Sequence, residues 1–491
     1  MEAEQPAVET ATASTGIEGL DVILKGGLPR SHAYLLQGDP GAGKTTLSLQ
    51  FLLEGARLGE KSLYVTLAET RRELEAVARS HGWNLDHIEI HEQLVREEAL
   101  RESGDTTIFH PSEVELGQTV GAILDAVERS KPQRLVIDSL SEIRLLSQSA
   151  HLYRKQILAL KQYFANRGVT VLFIDDRTGE ENDLQLRSVP HGVIVLERRA
   201  PLYGAPRRRV EIVKLRGVDF SGGYHDFVIR RGGITVFPRL IAAQHMSDFD
   251  GGIARSGIAQ LDDLLGGGLD YGSSTLLLGP AGVGKSSLAV QCAVAAADRG
   301  EKAALFIFDE SRRTLMTRAD GLGFKLSDHV AAGRISIQQV DPAELAPGEF
   351  ASLVRDAVDK DGAKILIVDS LNGYLHAMPE ERFLTLHLHE LLSFLSERGM
   401  ATILVMAQHG LIGSNMVSAV DVSYLADCVL LLRYYELDGE LHKVVSVMKK
   451  RSGNHERAIR ELSMSNAGIT VGEPLRQLRG ILSGIPILNE R

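Results

Sequence analysis

The chain has little of what several protein classes are built from. It carries two cysteines in 491 residues. Cys292 and Cys428 each sit inside an apolar run, so there is no disulfide framework and no Cys-x-x-Cys zinc site, and both read as buried free thiols. No apolar run approaches the roughly 18 residues of a membrane-crossing helix, which leaves no membrane partner to expect. The only tryptophan, Trp83, reads as packed under a loop rather than as a base-stacking platform. There is no surplus of positive charge. The net charge of −10 and pI near 5.9 count against an extended nucleic-acid surface, which leaves a basic footprint. The first residues are acidic and have no apolar core of a signal peptide. Residues 1–14 are therefore expected to form a disordered tail, and the chain is expected in the cytoplasm. Hydrophobic content of 44% with 24% charged residues fits an ordinary soluble globular protein.

What the chain does have is a phosphate-cradling motif, G-x-x-x-x-G-K-[ST], present twice. The first copy is Gly38-Asp39-Pro40-Gly41-Ala42-Gly43-Lys44-Thr45, followed by Thr46. The second is Gly279-Pro280-Ala281-Gly282-Val283-Gly284-Lys285-Ser286, followed by Ser287. Glycines let successive backbone N–H groups converge on a phosphate, and the helix that follows turns its positive end to the same anion. The lysine reaches the β/γ-phosphates and the Thr45 or Ser286 hydroxyl ligates Mg²⁺. The two lysines lie 241 residues apart, so the chain reads as two similar halves, 15–237 and 253–485. A linker is placed at 238–252 and a short tail at 486–491.

Each half opens on a glycine-rich preamble, Thr15-Gly-Ile-Glu-Gly-Leu-Asp21 or Ser256-Gly-Ile-Ala-Gln-Leu-Asp262. Short apolar runs alternate with helical segments, which predicts an α/β fold with a mainly parallel sheet covered on both faces. Hairpins, such as those at 210–215 and 444–448, are expected to close each half.

Asp138 and Asp369 end apolar strands. They read as carboxylates supporting Mg²⁺ through its waters, with a strand-end turn or helix cap as the plainer alternative. Glu69 and Glu310 share the 241-residue offset and can polarise an attacking water or hydroxyl; a helix N-cap is the alternative. The first half reads Ala68-Glu69 and the second Asp309-Glu310, which suggests unequal tasks. Lys214-x-Arg216 recurs as Lys449-x-Arg451. These cations can reach the triphosphate of a neighbouring subunit, or can form a solvated basic strand edge. Arg207-Arg208-Arg209 is expected to be a charged hairpin facing solvent or a subunit neighbour.

The paired phosphate loops and the preamble resemble the RecA superfamily, and the tandem arrangement resembles the KaiC family of circadian-clock ATPases. The resemblance runs over about residues 14–485. It includes Gly-Trp-Asn-Leu after Ala-Glu-Thr in the first half, and Lys-Lys-Arg-Ser-Gly-Asn-His-Glu-Arg-Ala-Ile-Arg-Glu in the second. It implies tandem RecA-like domains in a hexamer, with ATP and Mg²⁺ bound between subunits. It also implies ATP hydrolysis in the first half, and serine/threonine autokinase and phosphatase chemistry in the second. The family's phosphoacceptor Ser-Thr pair falls on Ser423-Tyr424, so Ser423 is the implied acceptor and a tyrosine replaces the second. Ala68 replaces the first of the family's paired catalytic glutamates, which leads to the expectation that the first half binds ATP to hold the ring together. A KaiB-like or sensor-kinase partner is implied. A KaiA-dependent oscillator is not, because the family's recruiting tail has no counterpart in residues 487–491. Two further readings stay open: a DNA-dependent recombination ATPase, and a nucleotide-gated scaffold with little turnover.

Overall fold

The computed structural model of the chain describes residues 11–93, 111–147, 149–177, 186–200, 204–241, 249, 251–376, 381–408, 423–483 and 487–488. Residues 1–10 of the expected tail, 242–248 and 250 of the expected linker, and 486 and 489–491 at the end lie outside them. The chain divides into two compact units, Met1–Arg239 and Leu240–Arg491.

In the first unit a nine-stranded sheet is built from β1 (Ala33–Gly38), β2 (Ser62–Thr66), β3 (Ile88–Glu92), β4 (Arg134–Asp138), β5 (Thr170–Asp176), β6 (Gly192–Arg199), β7 (Arg207–Leu215), β8 (Tyr224–Arg230) and β9 (Gly233–Phe237). Their order is β9-β8-β7-β6-β1-β5-β4-β2-β3. Strands from β6 to β3 in that order pair in parallel, and β6 to β9 pair antiparallel. Alternation along β1 splits the core. Tyr34 and Leu36 pack with helices α1 (Lys44–Arg57) and α2 (Arg71–His81) on one face. Ala33 and Leu35 pack with α3 (Pro111–Ser130) and α4 (Ala150–Ala165) on the other. Near-continuous apolar strands are what a sheet covered on both faces requires.

The second unit repeats this plan. Its strands are β10 (Ser273–Gly279), β11 (Lys302–Ile307), β12 (Ile335–Gln339), β13 (Ala363–Asp369), β14 (Ala401–Ala407), β15 (Cys428–Leu437), β16 (Glu440–Lys450), β17 (Arg460–Ser465) and β18 (Gly468–Pro474). The order is β12-β11-β13-β14-β10-β15-β16-β17-β18. Helices α5 (Lys285–Asp298) and α6 (Arg312–Gly321) cover one face. Helices α7 (Pro347–Asp359) and α8 (Glu381–Glu397) cover the other. The expected α/β class with closing hairpins therefore holds in both halves. Among the described residues no helix is long and apolar enough to cross a membrane, and both cysteines are free and buried. Trp83 packs against the core beside His81. The preamble is a fixed turn: Asp21 accepts from the Thr15 amide and hydroxyl at 2.8 Å each, and Asp262 accepts from the Ser256 amide at 2.8 Å.

One aligned pair shows how the two cores differ in charge. In the first unit Arg134 is fully buried beneath α1. It donates to Glu60 at 2.5 Å and to the carbonyls of Ser14 and Phe51 at 2.6 and 2.8 Å, and lies over the Phe51 ring. Gly55 makes room for it, since a Cβ there would lie 2.5 Å from Arg134 Cδ. In the second unit the same two positions are Ile365 and Ala296, an all-apolar contact.

Burial acts to raise the Glu60 carboxyl, but Arg30 and Arg134 outweigh it and hold it below the ordinary glutamate value. Glu60→Gln leaves Arg134 buried without its counter-ion and should destabilise the first unit by about 3–5 kcal/mol, read from its urea transition. A depressed carboxylate contributes its stability above its unfolded pKa and loses it as pH falls through the folded one. The variant and the wild type should therefore converge only in acid.

Candidate functional site

Each phosphate loop hangs from the end of its central strand. A Cβ on Gly38 would lie 2.7 Å from the Leu196 carbonyl oxygen, and one on Gly279 would lie 2.3 Å from that of Leu432. Strands β6 and β15 thus press directly on the loop entrances. Gly41 and Gly43 turn with φ of 73° and 108°, and Gly282 and Gly284 with 77° and 109°. Gly43 and Gly284 begin α1 and α5 with no capping side chain, so no side chain competes for the first-turn N–H groups, an anion-binding arrangement. Ala42 and Val283 are buried on the underside, as are Thr46 and Ser287 in the first helical turn, while Pro40, Gly41, Ala281 and Gly282 are exposed. Lys44 Nζ donates to the Gly38 and Asp39 carbonyls at 2.9 and 3.2 Å and pairs with Asp176 at 2.8 Å. Lys285 Nζ donates to the Gly279 and Pro280 carbonyls at 2.9 and 2.7 Å. Burial pushes Lys285 down to about 8, against the raising effect of Asp369.

The metal-side groups are built differently in the two units. Ser286 hydrogen-bonds Asp369 directly. In the first unit Tyr64 stands between the equivalent groups, donating to Asp138 at 2.5 Å and hydrogen-bonding Thr45; Leu305 occupies its place in the second. Burial raises the carboxyls of both Asp138 and Asp369. Neither aspartate caps a helix: Ser139 is the N-cap residue of the helix after Asp138. Among the described residues no group of three or more His, Cys, Asp or Glu is arranged to hold a metal alone. One hydroxyl and one carboxylate beside a phosphate cradle fit Mg²⁺, which keeps waters and takes phosphate oxygens rather than a full protein cage.

The strand-end acids also differ. The N-caps are Thr70 and Ser311, so Glu69 and Glu310 are free of that role. Glu69 is half-buried, and its buried Oε2 has no hydrogen-bond partner among the described residues. Burial raises its carboxyl, as do Asp138 and Glu73, against Lys44. Glu310 is raised by burial too, but it pairs with Arg318 at 2.7 Å. Asp309 accepts a short hydrogen bond from Ser370.

The recurring cations lie on inner strands rather than at an edge, and far from their own loop. Lys214 sits opposite Val193, which pairs with Leu35, and Lys449 sits opposite Val429, which pairs with Leu276. Each is three residues, about 10 Å, short of the glycine that opens the loop. Lys214 donates to the carbonyls of Arg187 and Ser188, at 2.6 and 3.4 Å, and Arg216 donates to that of Ser188 at 2.9 Å. Lys449 donates to the carbonyls of Ser423 and Ala426 at 3.1 and 2.7 Å, and Arg451 to that of Tyr424 at 2.7 Å. Ser423 therefore shares one cluster with Lys449 and Arg451 at the entrance to β15. At the aligned position the first unit has Arg187, so it has no hydroxyl there. Arg209 is held by Glu197 at 3.2 Å and lies over the Tyr224 ring.

Tyr64, Asp176, Arg187 and Arg318 went unnoticed in the sequence. Asp176 ends an apolar strand as Asp138 does, so the same rule reaches it. Tyr64 and Arg318 carry no spacing signature.

If both loops bind nucleotide independently, Lys44→Met and Lys285→Met should each lower bound ATP from two to one per chain in equilibrium dialysis. The double variant should bind none.

The family model "ATPase: KaiC" matches residues 13–241 and again 254–476. The chain is 29% identical over 478 residues to "Circadian clock protein KaiC3" of Synechocystis sp., covering 96% of this chain and 94% of that protein. It is 28% identical over 500 residues to "Circadian clock oscillator protein KaiC" of Thermostichus vulcanus, covering 98% and 93%. It is 27% identical over 487 residues to the protein of that name in Synechococcus elongatus, covering 97% and 92%. With a family match over both units and two nucleotide cradles in register, the chain belongs to the KaiC family of ATPases.

Proposed function

We propose that this chain binds ATP with Mg²⁺ at both phosphate loops, hydrolyses it, and in its second half transfers the γ-phosphoryl group to Ser423 of a neighbouring copy in a homo-oligomeric, six-membered ring. Lys44 and Lys285 hold the phosphates, with the backbone N–H groups of the two loops. Thr45 and Ser286 would ligate Mg²⁺, with Asp138 and Asp369 behind them; the ion supplies charge neutralisation on the β/γ-phosphates. Glu69 takes the proton of the attacking water in the first site. Its unpartnered oxygen supports turnover there despite Ala68. Lys214 and Arg216, and Lys449 and Arg451, act on a neighbouring copy's triphosphate.

The observation that carries this reading is the place of Ser423. It lies with Lys449 and Arg451 at the start of β15, whereas its own phosphate loop begins at the far end of β10. Thr275, which pairs with Cys428, precedes Gly279 by four residues, roughly 13 Å of strand, and Ser423 lies further back still. A cluster so placed serves another chain's nucleotide. In the transfer, Ser423 Oγ forms a bond to the γ-phosphorus and the bond to the β–γ bridging oxygen breaks. ADP leaves with that electron pair, and the hydroxyl proton passes to Asp309 or Glu310.

Purified wild type and Ser423→Ala should be incubated with γ-labelled ATP and Mg²⁺, following both label on protein and ADP. The expected outcome is label on the wild type alone, with ADP from both. Equal label on both proteins removes Ser423 as acceptor. Nucleotide bound with neither product is the behaviour of a scaffold rather than an enzyme.

A further inference from the structure

The two strand-end glutamates occupy the same place in the repeat and have different neighbours. Arg318 lies on α6, whose N-cap Ser311 follows Glu310 directly, and the helix carries the guanidinium back over the strand end. Its charge acts on two carboxylates, Glu310 and Asp369. Glu310 pairs with it at 2.7 Å, and the charges of Asp309 and Asp369 both act on Glu310. In the first unit the aligned residue on α2 is Val77, which packs against the apolar core. Among the described residues no cation pairs with Glu69, whose Oε2 has no hydrogen-bond partner there, although the charge of Lys44 acts on it. The extra cation thus appears in the half that has the extra carboxylate, Asp309 against Ala68.

We propose that Arg318 is a positioning residue that withholds Glu310 from water, so that the second site favours the serine hydroxyl over hydrolysis. This rests on the reading that the strand-end glutamates take the proton of the attacking oxygen. Hydrolysis needs the water oxygen to bond to the γ-phosphorus, the β–γ bridging bond to break with the electron pair leaving on ADP, and the water proton to pass to a carboxylate. A carboxylate held in a half-buried, charge-assisted hydrogen bond has one oxygen committed, and Arg318 opposes the raising effect of burial on Glu310. To act on water it must first break that bond. Asp309, already an acceptor from Ser370, stays beside Glu310 to receive the proton of a hydroxyl brought in by another copy. In the first site Val77 imposes no such restraint, and water is activated directly.

The test silences the first site with Glu69→Gln, which leaves its phosphate loop intact, and reads the second site alone in the full-length protein. In that background Arg318→Val should raise ADP release on the order of tenfold, a fraction of what general-base catalysis supplies, at unchanged KM. It should also lower the ratio of protein-bound label to ADP. Arg318→Lys keeps a cation and should stay near the parent rate. Adding Glu310→Gln to Arg318→Val should abolish the gain. A gain in rate is not a product of misfolding, and the lysine variant controls for packing. The proposal is overturned if Arg318→Val turns over no faster than its parent, if Arg318→Lys matches Arg318→Val, or if the gain survives Glu310→Gln. Failure of the underlying reading shows separately, as a Glu69→Gln protein whose total turnover equals that of the wild type.

Discussion

Each half depends on one close approach: the last residue of the central strand lies against the carbonyl oxygen of the strand beside it. Gly38 meets Leu196 and Gly279 meets Leu432 at separations that leave no room for a Cβ. That contact fixes where the loop leaves the sheet, and therefore where the first turn of α1 or α5 points its N–H groups. Parallel register does the rest. Because β2 pairs with β4 and β11 with β13, the chain ends that carry Glu69 and Asp138, or Glu310 and Asp369, arrive at the same edge of the sheet as the loop. The antiparallel hairpin carries Lys214 or Lys449 the opposite way, to a level three residues back from the glycine that opens the loop. Strand direction thus separates the groups beside a chain's own phosphate loop from the lysine and arginine of its closing hairpin.

On this shared backbone the halves have diverged by compensated changes. Arg134 under α1 needs Gly55 and Glu60, while Ile365 under α5 needs only Ala296. Tyr64 joins Thr45 to Asp138, where Leu305 leaves Ser286 to meet Asp369 directly. Lys44 pairs with Asp176, and the aligned residue of the second half is Ala407. Val77 with Ala68 is matched by Arg318 with Asp309. Arg187 stands where Ser423 stands. Each pair alters charge or hydrogen bonding without moving a strand, so that one fold carries two differently built sites.

The architecture was legible because its signals are local and repeated. The two phosphate motifs share a fixed offset with Glu69 and Glu310, and apolar strands run into Asp138 and Asp369. Those features placed both sheets and the residues at the loop edge. The preamble was visible as a repeat, but not its physical purpose, which is a turn closed on Asp21 or Asp262. What stayed hidden depends on contacts between elements distant in sequence. Nothing in the strand Ser62–Thr66 announces that the Tyr64 hydroxyl reaches Asp138, 74 residues on. Arg318 reads as one more charge on a polar helix until the helix turns it back over Glu310. The sequence suggested from Ala68 that the first site is the weaker one. The geometry adds a contrast the sequence did not carry: among the described residues Glu69 has an oxygen with no hydrogen-bond partner, while Glu310 is tied to a guanidinium.

The central claim is that the phosphate loop of one chain and the Ser423 cluster of another make a single site. The most direct measurement mixes two variants: Lys285→Ala, which retains Ser423 but loses the second phosphate grip, and Ser423→Ala, which retains the grip but loses the acceptor. After subunit exchange with γ-labelled ATP and Mg²⁺, the account predicts that neither variant is labelled alone. The mixture should acquire label on the Lys285→Ala chains, identified by mass at Ser423. Wild type that labels while the exchanged mixture does not would contradict the account, by showing that each chain phosphorylates only itself.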